Sequence, residues 1–252
     1  MLLKGKTAFV TGGGSGMGKA ICRLFAKEGA QVAVVDLNGE SAGATAGECG
    51  PLALALQTNA ADAGSVESAV NRTVEQFGSL DIVVNCAGVP MAFTPIEEVS
   101  EEQWQRTMDV NVKSIYLTSK YAVPRMKQQG SGSILNICSI AGVRARPGLN
   151  AYCASKGAAI MLTKALAIEL APYRIRVNGI NPGPAETPML SKFMHGDAEQ
   201  IEKDTKDIFL SSVPLGALIQ PDDIAQAALY LCSDLAKIVT GEIVNIDGGR
   251  GI

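Results

Sequence analysis

Tyr152 and Lys156 stand four residues apart in the stretch 139–156, a spacing that carries chemistry if the segment is helical. Side chains at i and i+4 project from one helix face, one turn apart. A free phenol titrates near ~10 and is a poor acid or base at neutral pH. A cation one turn away favours the phenolate and would bring its proton exchange toward the working range. A serine hydroxyl brought alongside, as Ser139 would be, could hydrogen-bond a substrate oxygen while the phenol exchanges its proton. The trio suits interconversion of alcohols and carbonyls. A Tyr–Lys pair alone also describes many helix surfaces, so the rest of the chain has to supply the context.

That context is an alternation of apolar runs and helical periods. The β-rich run 6–11 ends in the glycines Gly12, Gly16 and Gly18, after which Ile21, Leu24 and Phe25 recur at helical spacing up to Gly29. A second apolar strand covers 31–36 and ends on Asp36; 52–56 reads as a third and 80–85 as a fourth. Val66, Val70, Val74 and Phe77 mark the helix between the last two. Ser100 followed by Gln103 fits a capping box opening one long helix through Met126. A fifth strand at 133–138 delivers Ser139, and the helix carrying Tyr152 and Lys156 runs to about Ala171. A sixth strand at 174–180, a helix opened by Pro221, and a last strand at 242–246 complete the chain. Strands apolar on both faces and strictly alternating with helices predict an α/β, doubly wound parallel sheet, one domain over 1–252. Ligands bind such sheets outside the carboxyl ends of the strands. The glycine turn, Asp36, residues 85–88, Ser139 and residues 181–187 all fall at or just after those ends.

The turn from Gly12 to Gly18 lets backbone N–H groups approach a pyrophosphate at a helix N-terminus. Asp36, about twenty residues on, can accept hydrogen bonds from both adenosine ribose hydroxyls and would repel a 2′-phosphate. No basic residue stands at 13–15, and Leu37 follows the acid, so the expected cofactor is NAD.

Composition narrows the remaining choices. The formal charge over 252 residues is −3 and is interspersed, which argues against nucleic acid or an anionic membrane as partner. No apolar run approaches a membrane span, and the first residues read as the approach to a strand, so the expectation is a cytoplasmic protein. The six cysteines form no CxxC pair, and His195 is the only histidine, read as a solvated loop residue. No metal site is expected.

Taken together, Thr11-Gly-x-x-x-Gly-x-Gly18, Asn85-Cys-Ala-Gly88, Asn111, Ser139, Tyr152-x-x-x-Lys156 and Asn181-Pro-Gly183 resemble the short-chain dehydrogenase/reductase family, in its order and across essentially the whole chain. The resemblance implies a Rossmann-type sheet of about seven strands and a nicotinamide cofactor. It implies Tyr152 as general acid/base, Ser139 as anchor of the substrate oxygen, and Lys156 on the nicotinamide ribose. Asn111 would hold a water near Lys156 in a proton relay. Asn85 and Gly88 would lie along the cofactor, with Pro182, Gly183 and Thr187 near the nicotinamide. Ser15, Met17, Leu37, Ala60, Ala87 and Ala185 join the implied contact set. Two departures are visible: Cys86 where the family often has a second asparagine, and Asn59 where an acid often meets the adenine amine, a contact an asparagine carbonyl can still make. The family also implies a homotetramer, and Met161, Leu162, Ala165, Leu166 and Ile168 spread the apolar surface of the Tyr152 helix beyond one face.

Substrate choice should lie in 186–212 and 142–150. Met189, Leu190, Phe193 and Met194, with Ile208, Phe209 and Leu210, form either a lid or ordinary packing. Arg144 and Arg146 read as solvated, with contact to a substrate carboxylate or phosphate as the alternative. Cys86, Cys138 and Cys153 read as inert core thiols; the competing hypothesis is inactivation by a thiol reagent, relieved by NAD. The favoured function is NAD-linked interconversion of a small-molecule secondary alcohol or polyol with its ketone. The alternatives are a 3-oxoacyl-thioester reductase and, from another class, a non-catalytic NAD-sensing regulator.

Overall fold

Each apolar run becomes a strand whose side chains alternate between two helix layers. The computed structural model describes residues 1–193 and 209–252. Its strands are β1 (Thr7–Thr11), β2 (Gln31–Asp36), β3 (Ala53–Gln57), β4 (Ile82–Asn85), β5 (Gly132–Ile137), β6 (Ile175–Pro182) and β7 (Ile243–Ile246). All pair in parallel, in the order β3-β2-β1-β4-β5-β6-β7. The helices are α1 (Gly16–Lys27), α2 (Gly39–Cys49), α3 (Ala63–Phe77), α4 (Glu101–Met108), α5 (Ser114–Gln129), α6 (Asn150–Leu170) and α7 (Pro221–Cys232). Val10 and Val34 pack with Ile21, Phe25 and Ile224 under α1, α2 and α7. Their chain neighbours Phe9 and Val35 pack on the other face with Val66, Leu117 and Leu170, under α3, α5 and α6. The strand order reverses between β1 and β4, which opens the crevice at the carboxyl ends where this architecture binds ligands. Among the described residues, no helix is long and apolar enough to cross a membrane.

The expected single helix after Ser100 is two helices. Ser100 caps α4 by accepting from the Gln103 N–H at 3.1 Å, but a π-helical turn at Asp109–Lys113 separates α4 from α5. The turn is held by a buried side chain: Asn111 Oδ1 accepts from Val89 N–H at 2.8 Å, and its Nδ2 donates to Val89 C=O at 3.1 Å. A widened turn of this kind admits one extra residue and re-aims the side chains around it. Helix α2, which the sequence pattern did not suggest, buries only the small residues Ala42, Thr45 and Ala46, too weak an apolar stripe to register as a period.

A chain of buried hydrogen bonds crosses the middle of the sheet. Thr118 Oγ1 donates to Asn85 Oδ1 at 2.5 Å, Asn85 Nδ2 to Asn136 Oδ1 at 2.8 Å, and Asn136 Nδ2 to Thr163 Oγ1 at 2.8 Å. It ties α5, β4, β5 and α6 in a region where an unpaired polar group would be costly. Asn136→Leu strands the Asn85 amide and should lower stability by about 1–3 kcal/mol. Urea unfolding reads this directly, and an unshifted midpoint would show the network to be dispensable.

Candidate active site

The glycine turn is shaped by close backbone approach. Gly12 sits at φ 65°, and a Cβ on Gly18 would lie 2.1 Å from the Gly12 carbonyl oxygen, so only glycine closes the turn. Ser15 stands at the N-cap of α1 without a side-chain cap, leaving first-turn N–H donors for an anion. Thr11 Oγ1 accepts from both Cys86 N–H and Ala87 N–H at 3.1 Å, which locks the end of β1 to the loop after β4. Asp36, at the end of β2, accepts from Gly14 N–H and Asn38 N–H, each at 2.9 Å. The carboxylate is thereby fixed with lone pairs still free for ribose hydroxyls. Among the described residues, no basic side chain lines this end of the cleft. Lys19 and Arg23 on α1 are drawn instead to Glu48, at 2.7 and 3.6 Å. These residues fit NAD better than its 2′-phosphorylated form.

The trio named by sequence meets at the carboxyl end of β5. Ser139 opens a short 3₁₀ turn and accepts from Ala141 N–H at 3.1 Å, so its own O–H remains to donate. That turn lies directly on α6: a Cβ on Gly142 would be 2.8 Å from the Lys156 backbone, and only glycine permits the contact. Tyr152 and Lys156 project together from α6, both nearly buried, with Lys156 Nζ 5.9 Å from the centre of the phenol ring. Lys156 Nζ donates to the Ile137 carbonyl at 2.9 Å, which leaves two ammonium N–H groups. An apolar shell of Met91, Ala141, Leu149 and Ala151 surrounds Tyr152. The Phe193 ring meets Tyr152 edge-on at 5.3 Å, and Phe209 meets Phe193 at 6.3 Å.

One cleft of about 2110 Å³ joins these parts. Gly12, Ser15, Gly16, Met17, Gly18, Asp36, Leu37, Asn59, Ala60, Ala87, Gly88, Ser139, Tyr152, Lys156, Pro182, Gly183, Ala185 and Thr187 all line it. Asn85 does not. It is buried in the sheet-crossing network, where its amide donates to Asn136 and ties β4 to β5. Asn111 also stands behind the wall. Its Nδ2 donates to Val89 C=O and Ser155 Oγ and its Oδ1 accepts from Val89, leaving one lone pair for a water. Asn59 Oδ1 accepts from Ala61 N–H at 3.0 Å, a local turn bond that still allows a second acceptance. Sequence reasoning passed over Gly14, whose N–H orients Asp36, and Arg250, which lines the cleft from a glycine-rich tail without any motif to mark it. Met194, His195 and Ile208 fall outside the described residues.

A model of the family described as enoyl-(acyl carrier protein) reductase matches residues 12–250. The chain is 41% identical, over the full length of both, to a 4-formylbenzenesulfonate dehydrogenase of Comamonas testosteroni. It is 39% identical to a 2,5-dichloro-2,5-cyclohexadiene-1,4-diol dehydrogenase of Sphingobium indicum, over 98% of this chain and 97% of that one. Among solved structures, a 3-ketoacyl-(acyl-carrier-protein) reductase from Brucella melitensis complexed with NADH superposes with a TM-score of 0.93 at 41% identity, covering 99% of this chain and 100% of that one. The chain belongs to the short-chain dehydrogenase/reductase family.

The cysteines beside the motifs differ from reactive thiols. Burial pushes Cys86 up to about 12, against the opposing pull of Lys156, and pushes Cys232 to about 12 as well. Cys138 is raised by the same cause, while Cys153 packs half-buried against the shell around Tyr152. A thiol raised on folding contributes stability that is present below its ordinary 9.0 and is lost as pH climbs from 9.0 to about 12. Alkylation of the native protein at about pH 8 should leave the buried Cys232 unmodified until denaturant is added. Peptide mapping checks this; labelling of Cys232 at the unfolded rate would contradict its burial.

Proposed function

We propose that this protein interconverts a small secondary alcohol or polyol and its ketone by hydride transfer, with Tyr152 as general acid/base. The enzyme is an NAD-dependent oxidoreductase acting on CH–OH groups. The observation that carries the reading is the meeting of Ser139, Tyr152 and Lys156 on one wall of the cleft that also holds the glycine turn and Asp36. In the oxidative direction Ser139 donates its O–H to the substrate oxygen while the Tyr152 phenolate takes the alcohol proton. Bound NAD supplies the hydride acceptor. The Lys156 ammonium, held by Ile137, stabilises the phenolate and has N–H groups left for ribose hydroxyls. The apolar shell and the Phe193 ring keep bulk water from the phenol. Asn111 fixes the loop bearing Gly88 and Val89, and its remaining lone pair suits a water on the path from Lys156.

A 3-oxoacyl-thioester reductase is the second reading, favoured by the likeness to the Brucella melitensis reductase. That reductase is itself complexed with NADH, so NAD use does not separate the two. An NAD-sensing regulator has less support, because the proton-transfer groups are all present. A homotetramer and a cytoplasmic location belong to the same proposal. Met161 and Ile168, exposed on α6 at 63% and 80%, support the first. Six free cysteines are in keeping with the second.

Tyr152→Phe should lower turnover by roughly 10²–10⁴-fold with NAD affinity kept. Steady-state kinetics with secondary alcohols, polyols and 3-hydroxyacyl thioesters, beside fluorescence titration of NADH, check both halves. Near-normal turnover would refute the role. Asp36→Arg should move preference toward NADP, read as the ratio of kcat/KM for the two cofactors; an unchanged ratio would remove Asp36 from cofactor choice.

A further inference from the structure

Two arginines line the same cleft beyond the aromatic wall, and neither forms an ion pair among the described residues. Arg250 is 8% exposed and Arg146 is half-buried. Each keeps a guanidinium nitrogen sealed from solvent with no hydrogen-bond partner among the described residues: Nε of Arg250 and Nη2 of Arg146. The ion pairs of the described residues involve neither, nor Arg144. The charge of the nearby acid, Asp247, acts on Arg250, but its oxygens are bonded to backbone N–H groups. Its Oδ1 accepts from Gly249 N–H at 3.0 Å and its Oδ2 from Gly251 N–H at 2.7 Å.

We propose that Arg146 and Arg250 form a receptor for an anionic head group, a carboxylate or sulfonate, on the substrate whose alcohol or carbonyl reacts at Ser139 and Tyr152. The proposal rests on the oxidoreductase reading for that second half. Arg144 builds the receptor without joining it: its guanidinium donates to the Arg250 carbonyl and pins the C-terminal segment to the loop after Ser139. Arg250 is further oriented by the Phe209 ring, 5.1 Å below its guanidinium carbon. The succession Tyr152, Phe193, Phe209, Arg250 then runs from the proton-transfer group, along two edge-on rings, to a cation. A ligand that follows it has a reacting oxygen at one end, an apolar body, and a negative charge at the other.

Gathering these like charges in a half-buried place is unfavourable without a partner. Burial holds Arg250 down at about 10, with Arg146 and Arg144 adding to the effect. Burial and then Arg144 lower Arg146 in the same direction. An arginine keeps its charge under these conditions, so relief comes from an anion rather than from proton loss. The guanidinium fork matches the paired oxygens of carboxylate and sulfonate.

The test pairs isosteric probes on the protein saturated with NADH. Calorimetry should find benzoate or benzenesulfonate bound about tenfold or more tighter than benzamide, and Arg146→Met and Arg250→Met should erase that advantage. Comparing the two anions tells a planar head from a tetrahedral one. In turnover, 4-(1-hydroxyethyl)benzoate or the matching sulfonate should exceed 1-phenylethanol in kcat/KM through a lower KM, and the ratio should fall toward one in the variants. Should Arg250→Met fail to fold, Arg146→Met, on the loop, carries the comparison. Equal affinity for benzoate, benzenesulfonate and benzamide in the unmutated protein overturns the receptor. Anion binding without turnover of any alcohol leaves the receptor standing and removes the oxidoreductase reading; turnover of 1-phenylethanol with no preference for either anion does the reverse.

Discussion

The site depends on one desolvated cation. Lys156 is 6% exposed, and an ammonium taken out of water is tolerated only when its N–H groups are matched. One match is built in, the carbonyl of Ile137 at the last position of β5. Because β5 is parallel to its neighbours, that carbonyl lies on the rim where β1, β2 and β4 also end. Helix α6 must pass close over the strand end to bring the lysine there, and the glycine at 142 makes the approach possible. Tyr152 follows at no extra conformational cost, one turn back on the same face.

Several polar residues at or behind the rim tie its segments together. Asn111 latches the β4 loop through Val89, and the π-helical turn gives the latch its direction. Asn85 and Asn136 join β4 to β5 across the core. Thr11 does the same between β1 and the β4 loop. Buried amides and hydroxyls matched this completely define a single register, and a proton-transfer site needs such a register to keep its reacting atoms in place.

Charge is distributed unevenly along the cleft. Among the described residues, its adenosine end carries the fixed carboxylate of Asp36 and no basic side chain, whereas Lys156, Arg146 and Arg250, together with the acids Glu101, Glu102 and Asp109, line the rest. The carboxylate at the adenosine end favours neutral ribose hydroxyls over a 2′-phosphate.

Strand and helix types were readable because their causes are local: apolar runs of strand length, glycines at turns, and helical periods. The pairing of Tyr152 with Lys156 was readable for the same reason, since four residues on a helix fix their relation. The residues lining the cleft along the strand ends were largely legible once parallel topology was granted, because every strand contributes the residues that follow it. Local pattern failed wherever a side chain answers to a distant partner. The expected continuous helix after Ser100 broke because Asn111 is claimed by Val89. Asn85 left the cleft because Asn136 holds it. Arg146, read as solvated, is half-buried because the C-terminal tail folds back and sets Arg250 beside it. Burial and unpaired guanidinium nitrogens among the described residues are properties of that three-dimensional meeting, and spacing along the chain contains neither.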